Sequence, residues 1–141
     1  MTSNILILRL PVLLLVVTNF ALAQVDKHSK QATEQTQDLL KNREEREKSS
    51  KNDPKAQKAI QDVKNISGGD KQTEDDIFGL ASDLMPALVE ESNGDPNKMM
   101  QILEEAKKDP EKFAKRFSPE QRKKLKEVAE KLGSKASQKP K

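Results

Sequence analysis

The chain has 141 residues, 35% of them charged and 3% aromatic, with a formal net charge of +3 and no Cys, Trp or Tyr. The missing cysteines exclude a disulfide framework, so a stable fold must rest on packing of a modest apolar core. The few aromatics exclude a base-stacking platform, and no nucleic-acid partner is expected.

Residues 1–23 have the order of a cleavable secretory signal. Arg9 precedes the apolar run from Leu10 to Val17, and the small-residue site Ala21-Leu22-Ala23 stands before Gln24. Ile5 to Ala23 approaches the roughly 20 apolar residues that a membrane span needs. Arg9 inside the run, the helix-interrupting Pro11 and the cleavage site favour removal over anchoring. The expected location is periplasmic or secreted.

From 24 to 72 the chain is polar, and its large apolar residues are few, among them Leu39, Leu40, Ile60, Val63 and Ile66. Such a segment buries little surface against the entropy of ordering it, so a flexible arm, partly helical or disordered, is expected. One helix stands out within it at 54–66. Asp53-Pro54 supplies an N-cap and a first-turn proline, Ala56, Ile60 and Val63 recur at helical spacing, and Ser67-Gly68-Gly69 ends the pattern. Residues 31–48 hold good helix formers, but only Leu39 and Leu40 to bury.

The compact domain is expected over 73–133 as an all-α bundle of four or five short helices. Thr73 reads as an N-cap with Glu74, Asp75 and Asp76 in the first turn, and Ile77, Phe78, Ala81, Leu84, Met85 and Leu88 form one apolar face. Pro86 is expected to kink or split this helix. Asp95-Pro96, Asp109-Pro110 and the capping box Ser118-Pro119-Glu120-Gln121 open three further helices, the last stopping at Gly133 before a basic, disordered tail over 134–141.

Charge is strongly segregated. Residues 73–105 carry one cation against nine anions, while residues 106–141 carry thirteen cations against five anions. Two readings follow: the acidic and basic helices neutralise one another within the molecule, or a basic surface of Arg116, Arg122, Lys123, Lys124 and Lys126 binds an anionic membrane or polyanion. No catalytic constellation is visible. His28 stands alone without Cys or a second His, the adjacent carboxylate pairs point in different directions on a helix, and Gly68-Gly69 lacks the lysine of a phosphate loop. No enzyme activity, metal, cofactor or small-molecule substrate is expected.

Two local resemblances bear on function. Phe117-Ser118-Pro119-Glu120-Gln121-Arg122 is similar to the Leu-Thr-x-x-Gln motif of the small periplasmic stress chaperones of the Spy family, which are exported, all-helical and highly charged. It spans six residues in one copy, with Phe117 and Ser118 in place of Leu and Thr. The two Asp-Pro starts, with Met99, Met100 and Phe113, resemble the Asp-Pro-punctuated helices of chaperone-associated client-binding domains. The resulting expectation is an exported, non-enzymatic interaction protein, chaperone-like or an envelope-complex adaptor. Its protein partner would dock on an apolar groove of Phe78, Met85, Met99, Met100, Phe113 and Phe117.

Overall fold

A computed structural model describes residues 30–137. Residues 1–23, read from the sequence as a signal, residues 24–29 with His28, and Lys139 and Lys141 of the expected tail lie outside the described residues. Within them the chain is all-α and forms seven helices with no strand: α1 (Lys30–Lys41), α2 (Arg43–Ser50), α3 (Pro54–Ser67), α4 (Lys71–Ser92), α5 (Pro96–Lys108), α6 (Pro110–Ala114) and α7 (Pro119–Ser137). Each start has a local chemical cause. Asp53, Asp95 and Asp109 accept backbone N–H groups of the turns that follow, each with proline at the first helical position. Ser118 and Gln121 form the reciprocal capping box of α7, at 3.0 and 3.2 Å.

Two boundaries differ from the sequence reading. Asp70, rather than Thr73, caps α4, accepting the Thr73 N–H at 2.7 Å. The α3–α4 turn places Gly68 and Gly69 at φ 67° and 79°, which brings the chain round in time for Asp70 to act, and Thr73 is buried inside the first turn. At the other end α7 continues past Gly133 to Ser137, since Gly133 does not take the left-handed conformation that ends a helix.

The longest helix, α4, is the spine, and α1, α3, α5 and α7 all pack on it. Its face of Ile77, Phe78, Ala81, Leu84, Met85 and Leu88 is buried as the periodicity predicts, together with Met99, Ile102, Leu103 and Ala106 of α5 and Leu125, Val128 and Leu132 of α7. Phe113 and Phe117 meet edge to face, with ring centroids 4.9 Å apart.

The stretch read as a flexible arm is, from Lys30 to Ser67, three helices that belong to the bundle. Leu39, Leu40, Ala56, Ala59 and Val63 are part of the same core as α4. Burial of Leu39 and Leu40 contributes about 1.5–3 kcal/mol each, and α4 provides the apolar surface that the segment lacks when judged alone.

Pro86 neither splits nor ends α4, which runs through it. A proline has no N–H, so the carbonyl four residues earlier, that of Ser82, loses its intrahelical donor. Gln37 of α1 supplies one: its Nε2 donates to the Ser82 carbonyl at 3.0 Å, while Ser82 Oγ donates to the Gln37 carbonyl at 3.2 Å. The next carbonyl, of Asp83, accepts from Gln121 Nε2 of α7 at 2.7 Å. The break in the spine is thus bridged from both sides.

Gly79 sits in the middle of α4, and a Cβ built there meets nothing within 4 Å. A helical glycine with free space is destabilising without a steric reason. Gly79→Ala is expected to raise stability by about 0.5–1 kcal/mol, read from denaturant unfolding; an unchanged or lower midpoint would contradict this reading of the site.

Candidate functional site

Residues of α4 on either side of its central core face form two lines along the helix. Asp75, Phe78 and Ser82 stand three and four positions apart and face α1 and α2. Asp76, Gly79, Leu80 and Asp83 recur at i, i+3, i+4 and i+7 and face α7, whose Lys124, Glu127, Val128 and Lys131 have the same spacing.

On the first line Asp75 is held by two arginines of α2. Arg43 makes a two-point contact, its Nε and a terminal nitrogen lying 3.3 and 2.8 Å from the carboxylate, and also donates to the Lys71 carbonyl at 2.7 Å. Arg46 donates to Asp75 Oδ1 at 2.8 Å and to the Leu40 carbonyl, with its guanidinium 4.1 Å above the Phe78 ring. Arg46 is buried, and desolvation pulls its guanidinium below the usual range while Asp75 pushes the other way. Partial burial would by itself raise the Asp75 carboxyl; hydrogen bonds from Arg46 and Arg43 outweigh it and hold Asp75 below the usual carboxylate range.

The second line borders an open cleft of about 280 Å3 between α4 and α7. Leu80 and Val128 give it an apolar lining, Gly79 leaves room in it, and Asp75, Asp76, Asp83, Lys124, Glu127 and Lys131 surround it. Lys131 donates to Asp76 at 2.6 Å and Lys124 to Asp83 at 2.8 Å, and these hydrogen bonds raise both ammonium pKa values. Asp83 also pairs with Lys41 of α1 at 3.7 Å. Asp76 and Asp83 are arranged to hold lysines, and the cleft offers a zwitterionic rim around a small apolar floor.

The segregated charge is thus used in part inside the molecule. Arg116 bridges Glu91 of α4 and Glu105 of α5. Of the basic surface read from the sequence, Arg116 and Lys124 are engaged across helices. Lys123 and Lys126 reach only Glu127 and Glu130 of their own helix, at 3.9 and 3.8 Å, and Arg122 makes no ion pair among the described residues. These three are exposed on the outer side of α7.

The apolar groove expected from the sequence is not an open surface. Phe78, Met85, Met99, Phe113 and Phe117 are buried in the core, and only Met100 reaches solvent, at 43% exposure. The reason is packing: α1 and α2 cover that side of α4, and Phe113 of α6 and Phe117 of the turn after it point inward. Gln37, Arg43, Arg46 and Gly79 were not singled out by the sequence, although the proline at 86 implies a donor near the Ser82 carbonyl.

Among the described residues no group of three or more His, Asp or Glu side chains is placed to hold a metal ion, and no helix is long and apolar enough to cross a membrane. No family model, curated protein or solved structure matches the chain.

Because the folded Asp75 pKa is depressed, its contribution to stability is present above the unfolded value of about 3.9 and is lost as pH falls through the lower folded value. Asp75→Asn is expected to lower stability at neutral pH by about 0.5–1.5 kcal/mol, the half-exposed carboxylate being partly screened by water, and to flatten the decline below pH about 4, both read from urea unfolding at stepped pH. An unaltered acid limb in the variant would remove Asp75 from this role.

Proposed function

We propose that this chain is an exported helical protein that works by binding another protein rather than by catalysis, in a chaperone-like or adaptor role at the cell envelope. The observation that carries the reading is what α4 does with its acids. Asp75, Asp76, Asp83 and Glu91 each hold a lysine or arginine of a neighbouring helix or of the α6–α7 turn, so their chemistry is structural. The order of residues 9–24 supports export, and the capping box at Ser118–Gln121 supports the chaperone-like form through its resemblance.

A second reading, binding to an anionic surface, is favoured by the outer side of α7. Lys123 and Lys126 have side chains 78% and 73% exposed and make only long pairs within their own helix. Such pairs contribute about 0.3–0.5 kcal/mol and exchange readily for a phosphate.

One experiment separates the two. The chain without residues 1–23 is mixed, in parallel, with an unfolding client protein and with vesicles containing anionic lipid. The leading reading predicts suppressed client aggregation at a few-fold molar excess, unaffected by the triple change Arg122→Glu, Lys123→Glu and Lys126→Glu. Vesicle binding that is lost in that variant and in high salt, with no effect on the client, would replace it by the second.

A further inference from the structure

The turn between α4 and α5 holds the one Asn-Gly pair in the sequence, Asn93-Gly94. With no side chain of its own, glycine offers the least hindered backbone nitrogen that a preceding asparagine can meet. In the reaction open to this pair the Gly94 nitrogen attacks Asn93 Cγ. The N–Cγ bond forms, the Cγ–Nδ2 bond breaks, and ammonia leaves, its third hydrogen being the Gly94 amide proton passed through water. Water then opens the five-membered imide at either carbonyl and gives aspartate or isoaspartate, each with one new negative charge. Nothing beyond water is consumed.

The folded turn opposes the first step in two ways. Asn93 is exposed and ends α4 in the left-handed conformation, with φ 52° and ψ 34°. At that ψ its Cβ and the Gly94 nitrogen stand nearly opposite one another about the Cα–C bond, whereas ring closure needs them eclipsed. The Gly94 N–H is also engaged, donating to the Val89 carbonyl at 2.9 Å, while the N–H groups of Asn93 and Asp95 donate to Glu90 and Ser92 at 3.1 and 3.0 Å. The two residues that let the helix end here, both at positive φ, are therefore the pair that reacts once the end opens. A side chain from outside the turn adds to its closure: Arg116 spans it, pairing with Glu91 of α4 and Glu105 of α5.

We propose that Asn93 is a site of spontaneous conversion to aspartate and isoaspartate, gated by opening of the last turn of α4, with Arg116 as the clamp on that gate. The conversion does not reverse by itself, and it weakens the turn that delayed it. The new carboxylate joins Glu90 and Glu91 at a helix end that has no basic residue in its last turn, where the dipole disfavours anions. Isoaspartate also puts an extra carbon into the backbone at the left-handed corner. The converted chain holds the α4–α5 junction, with Met99, Ile102 and Leu103 in the core beside it, less firmly than the chain as made.

The test incubates the full chain and a synthetic peptide of residues 86–100 side by side at neutral pH and physiological temperature, and follows the one-unit mass gain at residue 93 by peptide mapping. The folded chain is expected to convert at least about tenfold more slowly than the peptide, because opening must come first. Arg116→Ala, its helical content checked by circular dichroism, is expected to convert about twofold faster than the wild type. Asn93 should convert before Asn42, Asn52, Asn65 or Asn97, and chains carrying isoaspartate should unfold at a lower denaturant concentration than unconverted ones. Equal rates in the folded chain and the peptide overturn the gate, even if the Arg116 variant does not fold. Earlier conversion at another asparagine overturns the assignment of the site, and an unchanged rate in a folded Arg116→Ala chain overturns the role of the clamp.

Discussion

The proline at position 86 leaves the Ser82 carbonyl in the middle of the spine helix without an intrahelical donor, and the placement of the outer helices follows from where donors are found. Gln37 comes from one side and Gln121, at the neighbouring Asp83 carbonyl, from the other. An unmade hydrogen bond at a buried carbonyl costs about 1–3 kcal/mol, a large share of the stability of a domain this size. The Ser118 capping box at the start of α7 holds the same Gln121 side chain through its Oε1. A local helix start and a long-range contact are therefore the same residue.

Around that break the electrostatics repeat the arrangement. Asp75, Asp76, Asp83 and Glu91 of α4 meet basic residues of α1, α2, the α6–α7 turn and α7, so part of the sharp alternation of charge along the chain becomes a set of long-range pairs. Asp83 shows it most completely, since its side chain holds Lys41 and Lys124 while its carbonyl takes Gln121. Exposed pairs of this kind contribute little singly. Their value is in register, because each one selects which turn of α4 meets which turn of its neighbour. The exception is Arg46, buried and stacked on Phe78, whose loss of Asp75 would leave a charge without its partner in the core.

Much of the fold was legible in the sequence because helix starts are local chemistry. Asp53-Pro54, Asp95-Pro96, Asp109-Pro110 and Ser118–Gln121 open helices where they were expected, and the apolar periodicity from Ile77 to Leu88 marked the central core face. Residues 30–50 were harder to read. Leu39 and Leu40 look too few to order a segment when only that segment is counted, and the missing surface belongs to α4, more than 30 residues away. The candidate groove failed for the complementary reason. Periodicity shows that Phe78 and Met85 share an apolar face, but not that residues 37–46 of the same chain lie over it. Gln37 and Arg46 carried no signal of their own, since a polar side chain reveals its partner only once the helices are docked.

The most direct measurement is a double-mutant cycle between Gln37→Ala and Pro86→Ala by denaturant unfolding. Restoring the N–H at 86 gives the Ser82 carbonyl an intrahelical donor, so the account predicts that Gln37→Ala costs about 1–3 kcal/mol in the wild type and at least about 1 kcal/mol less beside Pro86→Ala. An equal cost in both backgrounds would contradict it, because Gln37 would then hold α1 in place for reasons unrelated to the proline.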